Sequence, residues 1–308
     1  MEINIIRSGM LTSVQDPGRT GHRGAGVPLG GAMDAFALRV ANLLVGNPEG
    51  AAALECTLVG PEVEFTADSV VAVGGADFEG LAAWQPRVVR AGERVKLGAA
   101  RSGCRGYLAV AGGIGVEPVL GSRSTYLRGG FGGFQGRALR DGDVLPVPDV
   151  GRKLTNHWRI DGRILPGYSA SPTVRVVRGA QLDEFGGALF AAEFKILPQS
   201  DRMGIRLGGA KLTRIGGAAE LVSSAVAPGT VQVPSDGQPI VLMADAQTLG
   251  GYPQAAHVIS VDLPLVAQLR PGDRLKFAEV TLEEAHKLAF IREHVIAMLH
   301  EGLAQKFR

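Results

Sequence analysis

The stretch LRPGDRLKF, residues 269–277, carries the pattern that decides the fold, because the chain repeats it twice more. LRDGDVLPV at residues 139–147 and VRAGERVKL at residues 89–97 have the same order, a glycine turn followed by alternating apolar and polar residues. A tight turn that leads into an alternating run is typical of a strand returning to a half-buried sheet. We therefore expect a protein built mainly from short strands.

The composition favours the same fold class. The 308 residues include 44 glycines and 17 prolines among many short Val, Ile and Leu runs, as in proteins with many strands and tight turns. Helical patterns occur at residues 34–45, with Asp34 as the cap, at 282–303 and, more weakly, at 181–192. The fold class predicted from the residues is mainly β with a few helices.

The last predicted helix opens on a capping box formed by Thr281 and Glu284. Its apolar residues at helical spacing predict a packing face made of Leu288, Ile291, Val295 and Leu299.

The two halves of the chain also repeat a longer order of segments. INIIRSG at residues 3–9 matches VRVVRG at 174–179, and GPEVEF at 60–65 matches PGTVQV at 228–233. Between them each half has an Asp and an R-x-G-x-R frame: Asp16, Arg19, Gly21 and Arg23, then Asp201, Arg202, Gly204 and Arg206. The shared order predicts two related β-rich units.

The predicted domains are a first unit at residues 1–150, a linker at 151–172, a second unit at 173–280 and a C-terminal helix at 281–308. Duplicated units offer a crevice for a ligand, which makes both Asp/Arg sets candidate site residues. The alternative is that each set closes its own unit with an ion pair.

Charge and cysteine usage exclude several classes of protein. With 32 Lys and Arg against 30 Asp and Glu, the net charge is +2 and no basic run predicts nucleic-acid binding. Cys56 and Cys104 are isolated, which predicts two buried thiols rather than a zinc site or a disulfide. MEINIIRSG predicts a first strand rather than a signal peptide, and no apolar run is long enough to span a bilayer. We expect a soluble cytoplasmic protein with no membrane partner.

The usual catalytic motifs are missing from the sequence. It contains no Walker-type phosphate loop, no zinc-protease helix motif, no G-x-S-x-G elbow and no A-M-K-M-like biotin attachment hairpin. The glycine-rich stretch at 111–143 lacks the context of a dinucleotide fold. Its residues 122–125 have the side chains to bind an anion, although a structural turn is the favoured interpretation.

Residues 234–265 form the best candidate site. Two apolar runs, 240–243 and 258–261, have the appearance of buried strands, and the loop between them is polar and glycine-rich. A rigid scaffold that holds such a loop at its strand ends commonly presents a binding site. An ordinary hairpin connection is the alternative.

Several motifs together resemble one family. They are LTSVQDPGRTGHRGAGVPLGGAMD, GSRSTYLRGGFGG, SDRMGIRL and PSDGQPIVLMADAQTLGGYP. In this order they resemble the family of 5-oxoprolinase C subunits, also called allophanate hydrolase subunit 2 or KipA-like, within the biotin-dependent carboxyltransferases. The resemblance spans residues 1–277.

The resemblance implies a fold, an activity and partners. The fold is a pair of related cyclophilin-like β-barrel units. The activity is hydrolysis of 5-oxo-L-proline to L-glutamate, a C–N amide cleavage that uses ATP in a complex with a KipI-like B subunit and a LamB/YcsF-like A subunit. One alternative is the carboxyltransferase component of a urea carboxylase, which would use biotin carried by another protein. The other is a non-enzymatic regulatory binder of a KipI-like protein.

The resemblance also implies site residues, all without a metal. Those expected to be catalytic are Asp201, Arg202 and Asp245. Those expected to bind substrate are Asp34, Ser200, Gln238, Gln247, Gly250, Gly251 and Tyr252. Ala246 departs from the family, whose members commonly have Arg at this position. If that Arg contacts an anion, its replacement implies either a different substrate or weaker catalysis.

Overall fold

The computed structural model describes residues 1–149, 151, 158–216 and 221–306. Residues 150 and 152–157, at the end of the predicted first unit and in the predicted linker, lie outside the described residues, as do residues 307–308 of the predicted last helix. The described part forms seventeen strands and four α-helices, which confirms a mainly β protein with a few helices.

The strands, in chain order, are β1 (Glu2–Arg7), β2 (Leu11–Gln15), β3 (Ala53–Thr57), β4 (Val59–Phe65), β5 (Ser69–Phe78), β6 (Pro86–Val89), β7 (Arg94–Val110), β8 (Val144–Pro146), β9 (Thr173–Arg178), β10 (Glu193–Ile196), β11 (Gly204–Gly209), β12 (Ser224–Ala225), β13 (Thr230–Gln232), β14 (Ile240–Leu242), β15 (Leu249–Gly250), β16 (Gln254–Val258) and β17 (Arg274–Glu279). The helices are α1 (Ala35–Leu44), α2 (Ala188–Ala191), α3 (Leu263–Ala267) and α4 (Leu282–Ala304).

The chain divides into two compact units. Unit 1 comprises Met1–Arg19, Gly30–Leu165 and His294–Arg308, and unit 2 comprises Thr20–Leu29 and Pro166–Glu293. The units alternate along the chain, and the division predicted from the sequence at residues 150, 172 and 280 stays a prediction.

Unit 1 is organised around β7, a 17-residue strand that pairs antiparallel with β3, β4 and β5. Its eight-stranded sheet has the order β2-β3-β7-β4-β1-β8, and β5 and β6 join it through β7. Successive residues of β7 serve two cores: Leu108 packs with Ile3 and Phe65, whereas Tyr107 packs with Phe36 and Leu38 of α1. Burial on both faces explains the long apolar runs of this half.

Unit 2 contains a closed barrel of seven strands in the order β10-β11-β14-β13-β16-β9-β17. The alternation seen in the sequence becomes its core, since residues two apart point to the same face of a strand. Val174 and Val176 of β9, Phe194 of β10 and Leu275 and Phe277 of β17 are buried in this way. The predicted β-barrel architecture is confirmed.

The three repeated glycine turns have one hydrogen-bond pattern. In each, an acidic residue three positions after an arginine accepts from that arginine's backbone N–H: Glu93 from Arg90 at 2.9 Å, Asp143 from Arg140 at 2.8 Å and Asp273 from Arg270 at 2.8 Å. The intervening glycines have φ of +77°, +87° and +100°, which L side chains rarely adopt. In each turn the glycine N–H and the acidic residue's carbonyl also bond to one residue of a neighbouring strand, which is Phe65, Ile5 or Ile196, so the turn both closes on itself and is attached to its sheet.

The matched strands of the two halves are similar locally but not in every pairing. β1 and β9 have the same length and the same alternation of burial. However, β8 runs antiparallel to β1, whereas β17, which follows the corresponding turn, runs parallel to β9. The repeated sequence thus specifies turns and strands, and pairing direction depends on the rest of each unit.

The predicted thiols and the first helix are confirmed. Cys56 and Cys104 are free and buried, and burial raises the pKa of the Cys56 thiol to about 12. Helix α1 begins after Asp34, whose carboxylate accepts from the Ala37 N–H at 2.9 Å.

The packing face predicted for the last helix needs correction. Leu288, Val295 and Leu299 are half-buried, but Ile291 is 47% exposed. The most buried residues of α4 are Ala285, Ile296 and Leu303, so the buried stripe is rotated away from Ile291. In the weakly predicted region 181–192, the structure has a single turn of 3₁₀ helix, Leu182–Phe185, and the short α2.

The repeated turns generate a stability test at Gly272. Gly272→Ala should destabilise the protein by about 1 kcal/mol, because the left-handed backbone cost exceeds the entropy that alanine removes from the unfolded chain. Gly302→Ala is the matched control: Gly302 lies in α4 with open space around its Cα, so alanine should stabilise by about 0.5–1 kcal/mol. Denaturant unfolding gives the change in unfolding free energy for each variant. If Gly272→Ala is as stable as the parent protein, the turn tolerates another backbone conformation.

Candidate functional site

Unit 2 contains a cavity of about 760 Å³. Its described lining consists of residues 211–214, 233–237 and 251–253, together with Phe185 and Leu221. The second of these segments follows β13 and the third joins β15 to β16. Cavities of this size are typical of sites for small organic ligands.

Backbone hydrogen bonds hold the three lining segments together. The Leu212 N–H donates to the Gly237 carbonyl at 2.9 Å, and the Val233 N–H donates to the Pro253 carbonyl at 3.0 Å. Gly237 has φ of +78°, and a Cβ there would lie 3.0 Å from the Leu212 carbonyl oxygen. The close approach of these segments therefore requires glycine at this turn.

The cavity lining carries charges of both signs. Lys211 and Asp236 are exposed, and Arg214 donates to the Glu184 carboxylate at 2.5 Å. One Asp236 oxygen accepts from the Gln238 N–H at 2.9 Å. An ammonium group and a carboxylate in one cavity suit a small ligand that has both an anionic group and an N–H donor.

Tyr252 lines the cavity, and the buried side chain of Gln232 supports its backbone. Gln232 is 1% exposed, donates to the Tyr252 carbonyl and accepts from the Gln247 amide, both at 3.4 Å. A Cβ on Gly250 would lie 2.5 Å from the Gln232 Nε2. Gly250 thus leaves the space in which Gln232 connects Gln247 to the Tyr252 loop.

Arg202 and Asp245 form a buried, bidentate ion pair. The Arg202 Nε and Nη2 donate to the two Asp245 oxygens at 2.9 and 3.0 Å, and the side chains are 6% and 5% exposed. The Asp245 N–H also donates to the Arg202 carbonyl at 2.9 Å. This geometry binds the turn before β11 to the loop after β14, and catalytic roles for the two residues stay predictions.

Three further predicted site residues, Ser200, Asp201 and Gln238, form hydrogen bonds with backbone groups. Ser200 donates to the Leu197 carbonyl at 2.7 Å and accepts from the Arg206 N–H at 3.0 Å. Asp201 accepts from the N–H groups of Met203 and Gly204 at 2.8 and 3.2 Å. Each of these bonds stabilises the connection between β10 and β11.

The third, Gln238, bonds to both backbone groups of Gly209, accepting from the N–H at 3.1 Å and donating to the carbonyl at 3.3 Å. Among the described residues that line the cavity, Gly251 and Tyr252 are the only predicted site residues.

Asp34 belongs to unit 1, where it is fully buried. Its N–H donates to the Tyr107 Oη at 2.7 Å, and the Tyr107 hydroxyl donates to Glu55 at 2.7 Å. Burial, followed by the nearby carboxylates of Glu55 and Asp34, raises the pKa of Tyr107 well above its usual value. With the helix cap on Ala37, these contacts show that Asp34 stabilises the start of α1; its role in binding substrate stays a prediction.

The other Asp and Arg of the first half also have structural partners. Asp16 accepts from the Ser122 hydroxyl at 2.6 Å, and Arg19 donates to the Ser124 hydroxyl at 3.0 Å and lies 4.9 Å from the Phe131 ring centre. In unit 2, Arg23 donates to the Val226 carbonyl. Residues 122–125 are used by this network, in agreement with the structural turn favoured from sequence.

Ala246, which departs from the family pattern, is 2% exposed and packs with Val226 and Leu242. Its surroundings in this chain are apolar.

Sequence reasoning missed Lys211 and Asp236. Asp236 stands in an S-D-G turn whose only signal was turn chemistry, and Lys211 is a single lysine in a loop. Neither pattern distinguishes a cavity residue from a solvated one.

Among the described residues there is neither a candidate metal centre nor a helix that could span a membrane. No group of three or more His, Cys, Asp or Glu side chains is placed to hold a metal ion. No helix in the described part has the length and apolar character needed to cross a bilayer.

Comparison with known proteins gives consistent matches. Residues 25–279 match the family model "Carboxyltransferase domain, subdomain A and B". The chain is 44% identical to the 5-oxoprolinase C subunit of Escherichia coli K12, over 92% of this chain and 93% of that protein. It is 39% identical to the 5-oxoprolinase C subunit of Haemophilus influenzae, over 93% and 94% of the two chains.

Among solved structures, the K. lactis urea amidolyase is similar with a TM-score of 0.90 and 31% identity. The match covers 97% of this chain and 20% of the amidolyase, so the chain corresponds to about a fifth of that protein.

Gly250 provides a test of the Gln232 connection. Gly250→Ala should destabilise the protein by about 1–2 kcal/mol, because the new methyl group displaces the buried Gln232 amide from its two partners. Gly251→Ala is the control one residue away, where the nearest atom to a Cβ lies at 3.4 Å, and its stability should change by less than about 0.5 kcal/mol. Equal unfolding free energies for the two variants would contradict the role given to Gly250.

The Arg202–Asp245 pair yields a second test. Arg202→Met should cost about 3–5 kcal/mol, since it leaves Asp245 buried without its cation, and adding Asp245→Leu should recover much of that loss. Arg163→Met is the control, because the Arg163 side chain is 89% exposed in its pair with Asp161. Its unfolding midpoint should match the parent protein. If Arg202→Met is equally stable in denaturant unfolding, the pair does not hold the loop.

Proposed function

The chain belongs to the carboxyltransferase domain family, subdomains A and B, and on that premise we propose that it is the C subunit of an ATP-dependent 5-oxoprolinase. The observation that carries the proposal is the 44% identity to the E. coli 5-oxoprolinase C subunit over nearly the full length of both chains. The chain would act as the hydrolase component of a cytoplasmic complex with a KipI-like B subunit and a LamB/YcsF-like A subunit.

The cavity of unit 2 offers groups that match this substrate. 5-Oxo-L-proline has a carboxylate and a lactam with one N–H donor. We assign the Lys211 ammonium to the carboxylate and the second oxygen of Asp236 to the lactam N–H. Tyr252 lines the same cavity and supplies a neutral hydroxyl for the lactam.

These residues would orient the substrate rather than attack it. A lactam is a resonance-stabilised amide and resists water at neutral pH. In the assembled complex, ATP would supply the activation by phosphorylating the lactam oxygen before water attacks. What this chain contributes is a fixed orientation of the ring and a positive charge beside its carboxylate.

A carboxyltransferase that receives carboxyl groups from biotin on a separate protein is the second candidate. The similarity to the K. lactis urea amidolyase favours it, because the TM-score of 0.90 extends over 97% of the chain. The cavity groups suit urea less well, since urea has no carboxylate for Lys211 to bind. A regulatory binder of a KipI-like protein is the remaining alternative.

Reconstitution tests the proposal. The full chain, combined with its LamB/YcsF-like and KipI-like partners, should release glutamate only when both 5-oxoproline and ATP are present. Carboxylation of urea that depends on carboxybiotin, with no glutamate release, would establish the second candidate. Tight binding to the KipI-like partner without either turnover would establish the regulatory one.

Lys211→Met should lower kcat/KM of the reconstituted complex by about 10- to 100-fold, as expected for loss of one charge-assisted hydrogen bond. Lys211→Arg, which keeps the charge, should retain more activity. Lys195→Met, at an exposed lysine of β10, is the matched control and should be unchanged. Full activity of Lys211→Met would remove Lys211 from the site and leave the assigned reaction standing.

A further inference from the structure

Helix α4 exposes large apolar side chains along one stripe. Phe290 is 75% exposed, Met298 52% and Ile291 47%, although each would normally be placed in a core or an interface. At 100° per residue, the three lie within an arc of about 100°. The buried residues Ala285, Ile296 and Leu303 lie on the opposite side of the helix.

The polar residues of the exposed stripe follow a seven-residue spacing. Lys287, His294 and Glu301 are all exposed and lie seven positions apart, and Phe290 and Ala297 fall between them at the other seam position of a heptad. Residues seven positions apart lie on the same side of an α-helix, so these polar side chains share the exposed stripe with Phe290. Because α4 is a single helix, its periodicity alone fixes this stripe.

We propose that the exposed stripe of α4 pairs antiparallel with α4 of a second copy of this chain, around a two-fold axis at His294. Positions at equal distances from His294 then face each other, and they are complementary. Lys287 faces Glu301 of the other copy, and Phe290 faces Met298. Each contact occurs twice, as a two-fold interface requires.

Charge selects this arrangement over a parallel pair. Parallel helices in register would place Lys287 against Lys287 and Glu301 against Glu301, and would align the two helix dipoles. The antiparallel pair converts both repulsions into attractions and opposes the dipoles. The stripe is therefore complementary to itself in only one of the two directions.

The expected association is modest. A helix of 23 residues is about 34 Å long, and one pair of such helices buries an area at the low end of stable interfaces. Interfaces of this size are typical of weak, transient complexes, so we expect a dissociation constant on the order of micromolar.

Sedimentation velocity of the full chain tests the pairing. Between about 1 and 100 μM the parent protein should shift from monomer to a species of twice the mass. Lys287→Glu and Glu301→Lys each place like charges opposite each other and should weaken the dimer at least about 10-fold. The double variant, Lys287→Glu with Glu301→Lys, restores opposite charges and should dimerise like the parent.

Lys195→Glu, a charge reversal on β10, is the matched control and should dimerise like the parent; circular dichroism confirms that each variant is folded. A parent chain that stays monomeric throughout overturns the proposal and leaves the stripe to a different protein. Dimerisation that survives both single reversals, or that the double variant fails to restore, equally overturns it.

Discussion

The buried ion pair between Arg202 and Asp245 is the interaction on which the arrangement of unit 2's candidate site depends. Two charges removed from water cost several kcal/mol each unless geometry and hydrogen bonding are good, and here both guanidinium bonds are about 3 Å long. Because Asp245 is two residues from Gln247, the pair fixes where the polar loop starts. Arg202 and Asp245 therefore have a structural role, whereas the charged residues Lys211 and Asp236 of the cavity are exposed to solvent.

Neutral amide hydrogen bonds connect the start of this loop to the cavity lining. Gln247 donates to Gln232, and Gln232 donates to the Tyr252 carbonyl, with Gly250 leaving room for the amide. Tyr252, Lys211 and Asp236 all line the cavity, and all three are exposed to solvent. The supporting residues are buried and hydrogen-bonded, whereas the charged residues of the lining are exposed to solvent. This arrangement is expected of a site that binds a small polar ligand.

The two units use the same turn in different sheets. An arginine, a glycine in the left-handed region and an acidic residue close the turn before β7, β8 and β17. Backbone bonds to Phe65, Ile5 and Ile196 then attach the three turns to β4, β1 and β10. A turn that closes with its own residues and needs one neighbouring strand residue can be reused wherever a strand must return. The sheet around it then decides direction, which is why β8 and β17 differ in orientation to their neighbours.

The local features could be predicted from the sequence by itself. The strands, the repeated turns, the cap at Asp34 and the buried thiols all follow from periodicity or from neighbours within a few residues. Only the tertiary structure decided which polar residues face the cavity. Asp201, Asp236 and Asp245 are each an aspartate in a loop, yet one closes a turn, one lines the cavity and one pairs with an arginine 43 positions away. Contacts between distant residues depend on how the strands close into a barrel, and no local pattern encodes that closure.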